Sequence, residues 1–170
     1  MNANRMSPTV VQVVQSCRPA REYADPRFGS ALRIDVRITL LAAGLIFLLA
    51  LVLGVWKYRQ IIAAEDHRAH PYVDIAHRAA LLYSFATLLI AAFVELSAWP
   101  TWVNLTAAMV VVFFFVGAIV GYIFHGVRRD TENQFDPPAR GTGAFMALLI
   151  LGEIGGFAVV FAGFIVRQLL

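Results

Sequence analysis

WVNLTAAMVVVFFFVGAIVGYIF, Trp102–Phe124, is an apolar run of 23 residues without a charged side chain. Wound as a helix at about 1.5 Å per residue, it reaches about 35 Å, enough to cross a hydrocarbon core of about 30 Å. Three further runs behave alike: Ile38–Trp56, Ala79–Trp99 and Ala144–Val166. Lipid offers backbone N–H and C=O groups no partner, so single segments cross it only as helices. The four runs predict an all-α membrane protein, a four-transmembrane-helix bundle.

Composition agrees. Residues are 59% hydrophobic and only 15% charged, and mean hydropathy is +0.70, outside the soluble globular range. Net charge is +3, and every basic residue but Lys57 is arginine. These arginines gather at helix ends, where they can meet lipid phosphates, so no nucleic-acid partner is implied. The lone Cys17 has no internal disulfide partner and no metal-ligand spacing around it. Residues 1–33 read as a polar tail ahead of a membrane domain spanning 34–170. That tail is too long and irregular for a secretory n-region, and no small-residue cleavage site follows the first run. Ile38–Trp56 is therefore expected to be a retained span.

The loops are unequal. Loop one, Lys57–Arg78, holds His67, His70 and His77; loop two is the tight Pro100–Thr101 turn between Trp99 and Trp102; loop three runs from Gly126 to Gly143. Four spans put both termini on one side. Basic residues divide evenly between the sides, but those close to a span favour loops one and three in the cytoplasm of a bacterial inner membrane.

Ionisable groups inside spans are costly and point to function. Glu95 lies near the end of the second run and Glu153 near the centre of the fourth. His77 and Glu95 are 18 residues apart, five helical turns, and Ser84 lies near the same face. Asn104 and Tyr122 share that spacing on the third run, with His125 one turn further. His77, Tyr83, Tyr122 and His125 are expected to meet at one depth. Each has a plainer reading: an interfacial imidazole, aromatic-belt tyrosines, a serine bonded to its own backbone. Gly152, Gly155 and Gly156 around Glu153 suit close helix contact, and with it a homo-oligomer.

Soluble-enzyme motifs are absent: there is no phosphate loop, nucleophile elbow, HExxH or Cys pair. A histidine at the mouth of an apolar bundle suits axial ligation of haem iron. One histidine leaves the opposite iron face open for Lewis-acid chemistry. Two, such as His77 with His125 or His70, would make a bis-histidine electron carrier. A third reading is a non-catalytic membrane subunit that docks a partner.

Arg68-Ala69-His70, Ala76-His77, Gly121-Tyr122-Ile123-Phe124 and Asn133-Gln134-Phe135 carry a resemblance. The layout over residues 35–168 resembles the small four-helix styrene oxide isomerases and, more distantly, the hydroxylaminobenzene mutases. His77 and Tyr122 are 45 residues apart, the separation that the isomerase pattern shows. The resemblance implies a homotrimer with haem b between subunits and a haem-dependent isomerase of a small lipophilic epoxide. Ferric iron would grip the epoxide oxygen, and a 1,2-hydride shift would give an aldehyde. His77 would be the axial metal ligand, with His125 and Ser84 as further cofactor-site candidates. Tyr122 and Tyr83 would be the catalytic candidates. The chain departs from the family in placing Tyr83 where the isomerases have an asparagine and Phe114 where they have an aspartate.

Overall fold

The computed structural model describes residues 32–133 and 141–170. Residues 1–31, with Cys17, and Gln134-Phe135 of loop three lie outside the described residues. Four helices follow in order: α1 Ile34–Ala63, α2 Pro71–Glu95, α3 Thr101–Arg128 and α4 Thr142–Gln168. All four are long and apolar enough to cross a membrane.

Local chemistry sets the ends. Pro71 has no N–H to leave unpaired at the first position of α2, and His70 caps it, Nδ1 accepting from the Tyr72 N–H at 3.3 Å. α3 follows Pro100 and stops at Arg129, which takes a left-handed conformation at φ 51°. Gly141, at φ 93°, opens α4 in a conformation that glycine adopts without strain.

The hydropathy pattern misplaces α2. The helix starts eight residues before Ala79 and ends at Glu95, so Leu96–Trp99 belongs to the turn. Lys57 and Arg78 neutralise Asp74 in its first turn, at 2.6 and 2.8 Å. A stretch that reads as polar loop is thus helix, and loop one shrinks to the segment between Ala63 and Pro71.

α1 packs chiefly on α2, α2 on α3, and α3 on α4, with lighter diagonal contacts of α1 with α3 and α2 with α4. Small side chains bring the first pair close: Ala50, Ala76 and Ala80 are buried together with Ile46, Leu53 and Ile119. A second cluster joins Val36, Ile90, Val94, Val111, Phe115 and Val160. Large apolar side chains such as Leu41, Leu48, Leu82, Phe113 and Leu151 face outward, as a lipid solvent permits. α4 is the least covered helix, with Gly156, Val160 and Gly163 its buried residues.

The expected glycine contact is real but divided. A Cβ at Gly152 would strike the Phe114 ring, and one at Gly156 would lie 2.8 Å from the Ala107 carbonyl oxygen. Gly155 meets open space and takes no part.

Candidate functional site

His77 sits in the second turn of α2 and turns its half-buried ring toward α1. Its Nδ1 is 2.9 Å from the Ala50 carbonyl oxygen. A carbonyl oxygen can only accept, so Nδ1 carries the proton and Nε2 keeps the lone pair. Gly54 makes the notch for this ring: a Cβ there would lie 3.0 Å from His77 Cε1. The Lys57–Asp74–Arg78 ion triple ties α1 to α2 beside it. One ring nitrogen is thus anchored by a backbone carbonyl, a partner that metal-ligating imidazoles commonly have.

The expected meeting of His77 with Tyr83, Tyr122 and His125 does not occur within one chain. Position along α2 and direction around it both separate His77 from Tyr83. Tyr83 is six residues beyond His77, about 120° around the helix. It therefore faces α3, where it stacks on Phe115 with ring centroids 4.1 Å apart and planes 5° from parallel. Ser84 shares the His77 side, yet it is buried and its hydroxyl donates to the Leu81 carbonyl at 2.6 Å.

Tyr122 and His125 do come together, around a residue the sequence reading passed over. Tyr72 stacks against Tyr122 at 6.2 Å and lies 5.1 Å from the His125 ring. His70 also stacks on Tyr72, at 6.1 Å. Tyr122 also lines a cavity of about 400 Å³ between α3 and α4, with Gly117, Gly121, Thr142 and Phe145. His125 donates from Nδ1 to Asp130 at 2.9 Å, and this hydrogen bond holds the Asp130 carboxyl below the usual carboxylate range. His70 is half-buried. It caps α2 and borders a cavity of about 940 Å³ that Arg59, Arg68, Arg129 and Glu132 also line. His67 is exposed, with φ 53°.

Two polar groups deeper in the bundle stand apart. Glu153 of α4 borders an apolar cavity of about 470 Å³ between α2, α3 and α4. Asp35 and Asn104 form a buried pair near the opposite end of the bundle. Both are 0% exposed. Asp35 accepts from Arg33 at 2.6 Å and from Asn104 Nδ2 at 3.5 Å, and Asn104 Nδ2 also donates to the Trp99 carbonyl at 3.0 Å. Asp35 lies just outside the first apolar run, which hid it. Asn104, a polar amide within the apolar third run, was the available signal.

The donor chemistry at His77 suits a haem. Metal-binding groups of three or more His, Cys, Asp or Glu do not occur among the described residues, and one axial imidazole on a porphyrin needs no such group. Comparison with protein-family models, with curated proteins and with solved structures gives no match for this chain.

Proposed function

We propose that this chain is a haem-dependent integral-membrane isomerase that rearranges a small lipophilic epoxide to a carbonyl compound. The observation that carries the reading is the His77 ring, fixed by the Ala50 carbonyl in the Gly54 notch with Nε2 left as a donor. Ferric haem b, when bound, supplies a Lewis acid for the epoxide oxygen.

The residues of the chain do the rest. The Ala50 carbonyl sets the imidazole tautomer and strengthens Nε2 as a base. The apolar outer faces of α1 and α2 exclude water, which protects a developing carbocation from hydrolysis. Tyr122 offers a hydroxyl to the substrate oxygen. Because the His77 and Tyr122 contacts lie on different sides of α2, the reading includes a homo-oligomer in which a neighbouring copy completes the site. A trimer is the number the isomerase resemblance implies. Substrate arrives from the surrounding lipid. Loops one and three face the cytoplasm of a bacterial inner membrane, following the basic residues nearest the spans.

The electron-carrier alternative has less support. His70 accepts the Tyr72 N–H through Nδ1, so its Nε2 carries the proton, and both His70 and His125 gather around Tyr72 rather than His77.

The test is turnover of styrene oxide by full-length protein purified in detergent after expression with added haem. Phenylacetaldehyde forms with wild type, is lost in His77→Ala, and forms about 10- to 100-fold more slowly in Tyr122→Phe. An untouched epoxide, or equal turnover by His77→Ala, overturns the reading.

A further inference from the structure

Glu153 sets a chemical problem that the rest of the fold leaves open. The carboxyl stands mid-way along α4, and its Oε1 is enclosed with no hydrogen-bond partner among the described residues. An ionised carboxylate in apolar surroundings is unstable unless a proton or a cation joins it. The space beside it is defined. Ala86 and Ile90 of α2, Phe115 of α3, and Phe157 and Phe161 of α4 wall a cavity of about 470 Å³. Pockets for drug-sized ligands run from about 300 to 1,000 Å³.

The walls select the ligand. Phe157 and Phe161 stack at 5.8 Å with planes 13° apart, and Phe93 meets both edge-on at 5.7 and 5.5 Å. Phe115 is held by the parallel ring of Tyr83. Aromatic faces carry negative charge density and attract cations, most strongly where water is excluded. One carboxyl among phenylalanine rings matches a single positive charge shielded by apolar arms.

We infer that the Glu153 cavity binds lipophilic monocations, ammonium or phosphonium ions that carry apolar substituents. The charge pairs with the Glu153 carboxylate, and the substituents lie on Phe115, Phe157 and Phe161. The site is separate from the His77 seam and does not rest on the haem reading.

Tetraphenylphosphonium is the probe, with binding to the full-length, detergent-purified protein followed by equilibrium dialysis. Wild type binds it saturably, one per chain. Glu153→Gln keeps the shape, removes the charge, and weakens binding about 10-fold or more. Ala158→Leu keeps the carboxyl but fills the cavity, and it also weakens binding, which covers the case of a poorly folded Gln variant. Triphenylphosphine oxide, neutral and of similar bulk, competes poorly. Equal binding by Glu153→Gln, full competition by the neutral compound, or absence of saturable binding to wild type each overturns the inference. Haem absorbance is unchanged in Glu153→Gln, so failure here and failure of the haem reading are distinguishable.

Discussion

The two ends of the bundle are built on different principles. At the end holding the α2–α3 turn, backbone and buried polar groups are tied together. Trp99 Nε1 donates to the Val159 carbonyl at 2.8 Å, and the Ala98 N–H donates to the Gly163 carbonyl at 3.0 Å. Arg167 donates to the carbonyls of Glu95 and Ser97, and Gln168 to that of Leu96, so α4 takes up acceptors that the end of α2 releases. Asp35, Arg33 and Asn104 close the same end from the α1 side. The other end has histidines, stacked tyrosines, exposed ion pairs and a cavity of about 940 Å³. One end fixes where the helices stand. The other carries groups that can exchange protons or bind ligands.

The largest effect expected from this contrast belongs to Arg33. Arg33→Met leaves Asp35 buried without its cation and destabilises the detergent-solubilised protein by about 3 kcal/mol, read as thermal unfolding. A loss below about 1 kcal/mol would show that the tied end does not hold the bundle.

Next comes the α3–α4 contact. Gly156→Ala sets a methyl against a backbone carbonyl that cannot move aside, at a cost of about 1–3 kcal/mol. Gly155→Ala meets open space and is neutral or slightly stabilising. Equal effects would mean that α4 does not pack on α3 through the Gly156 face.

Gly54→Ala addresses the open end. Its methyl presses on the His77 ring, and haem retention falls about 10-fold, measured as dissociation to excess apomyoglobin. Gly44→Ala, with nothing within 4 Å, is the control and changes nothing.

The smallest effect is at Asp130. Its folded-state pKa is depressed, so its contribution to stability is present above the usual carboxylate range and fades as pH falls through the lowered value. Asp130→Asn lowers stability slightly at pH 7 and removes the acid-side fading, so variant and wild type converge at low pH in unfolding scans.

Much of the fold was legible, because four long apolar runs admit only helices in lipid. Boundaries were less so. Asp74, Arg78 and His77 make the start of α2 look like loop, and only the ion triple with Lys57 shows why helix tolerates them. Leu96–Trp99 looks like membrane span, yet a Cβ at Gly163 would press on Ser97 and Trp99, so its apolarity serves packing of the turn on α4. Within the site, His77 was visible as an imidazole at a helix mouth. Its partners were not, since matching residues by depth ignores the roughly 120° turn between His77 and Tyr83. Ala50 and Gly54 carry no side-chain chemistry at all, so their part in seating the ring emerges only from the packing of α1 on α2.

The most direct test of the His77 assignment is the optical spectrum of His77→Gly purified after expression with added haem, recorded before and after addition of imidazole. The account predicts a Soret band in wild type, its loss in the variant, and its recovery when free imidazole fills the vacated notch beside Gly54. A colourless wild type, or a variant whose spectrum equals wild type without imidazole, would contradict it.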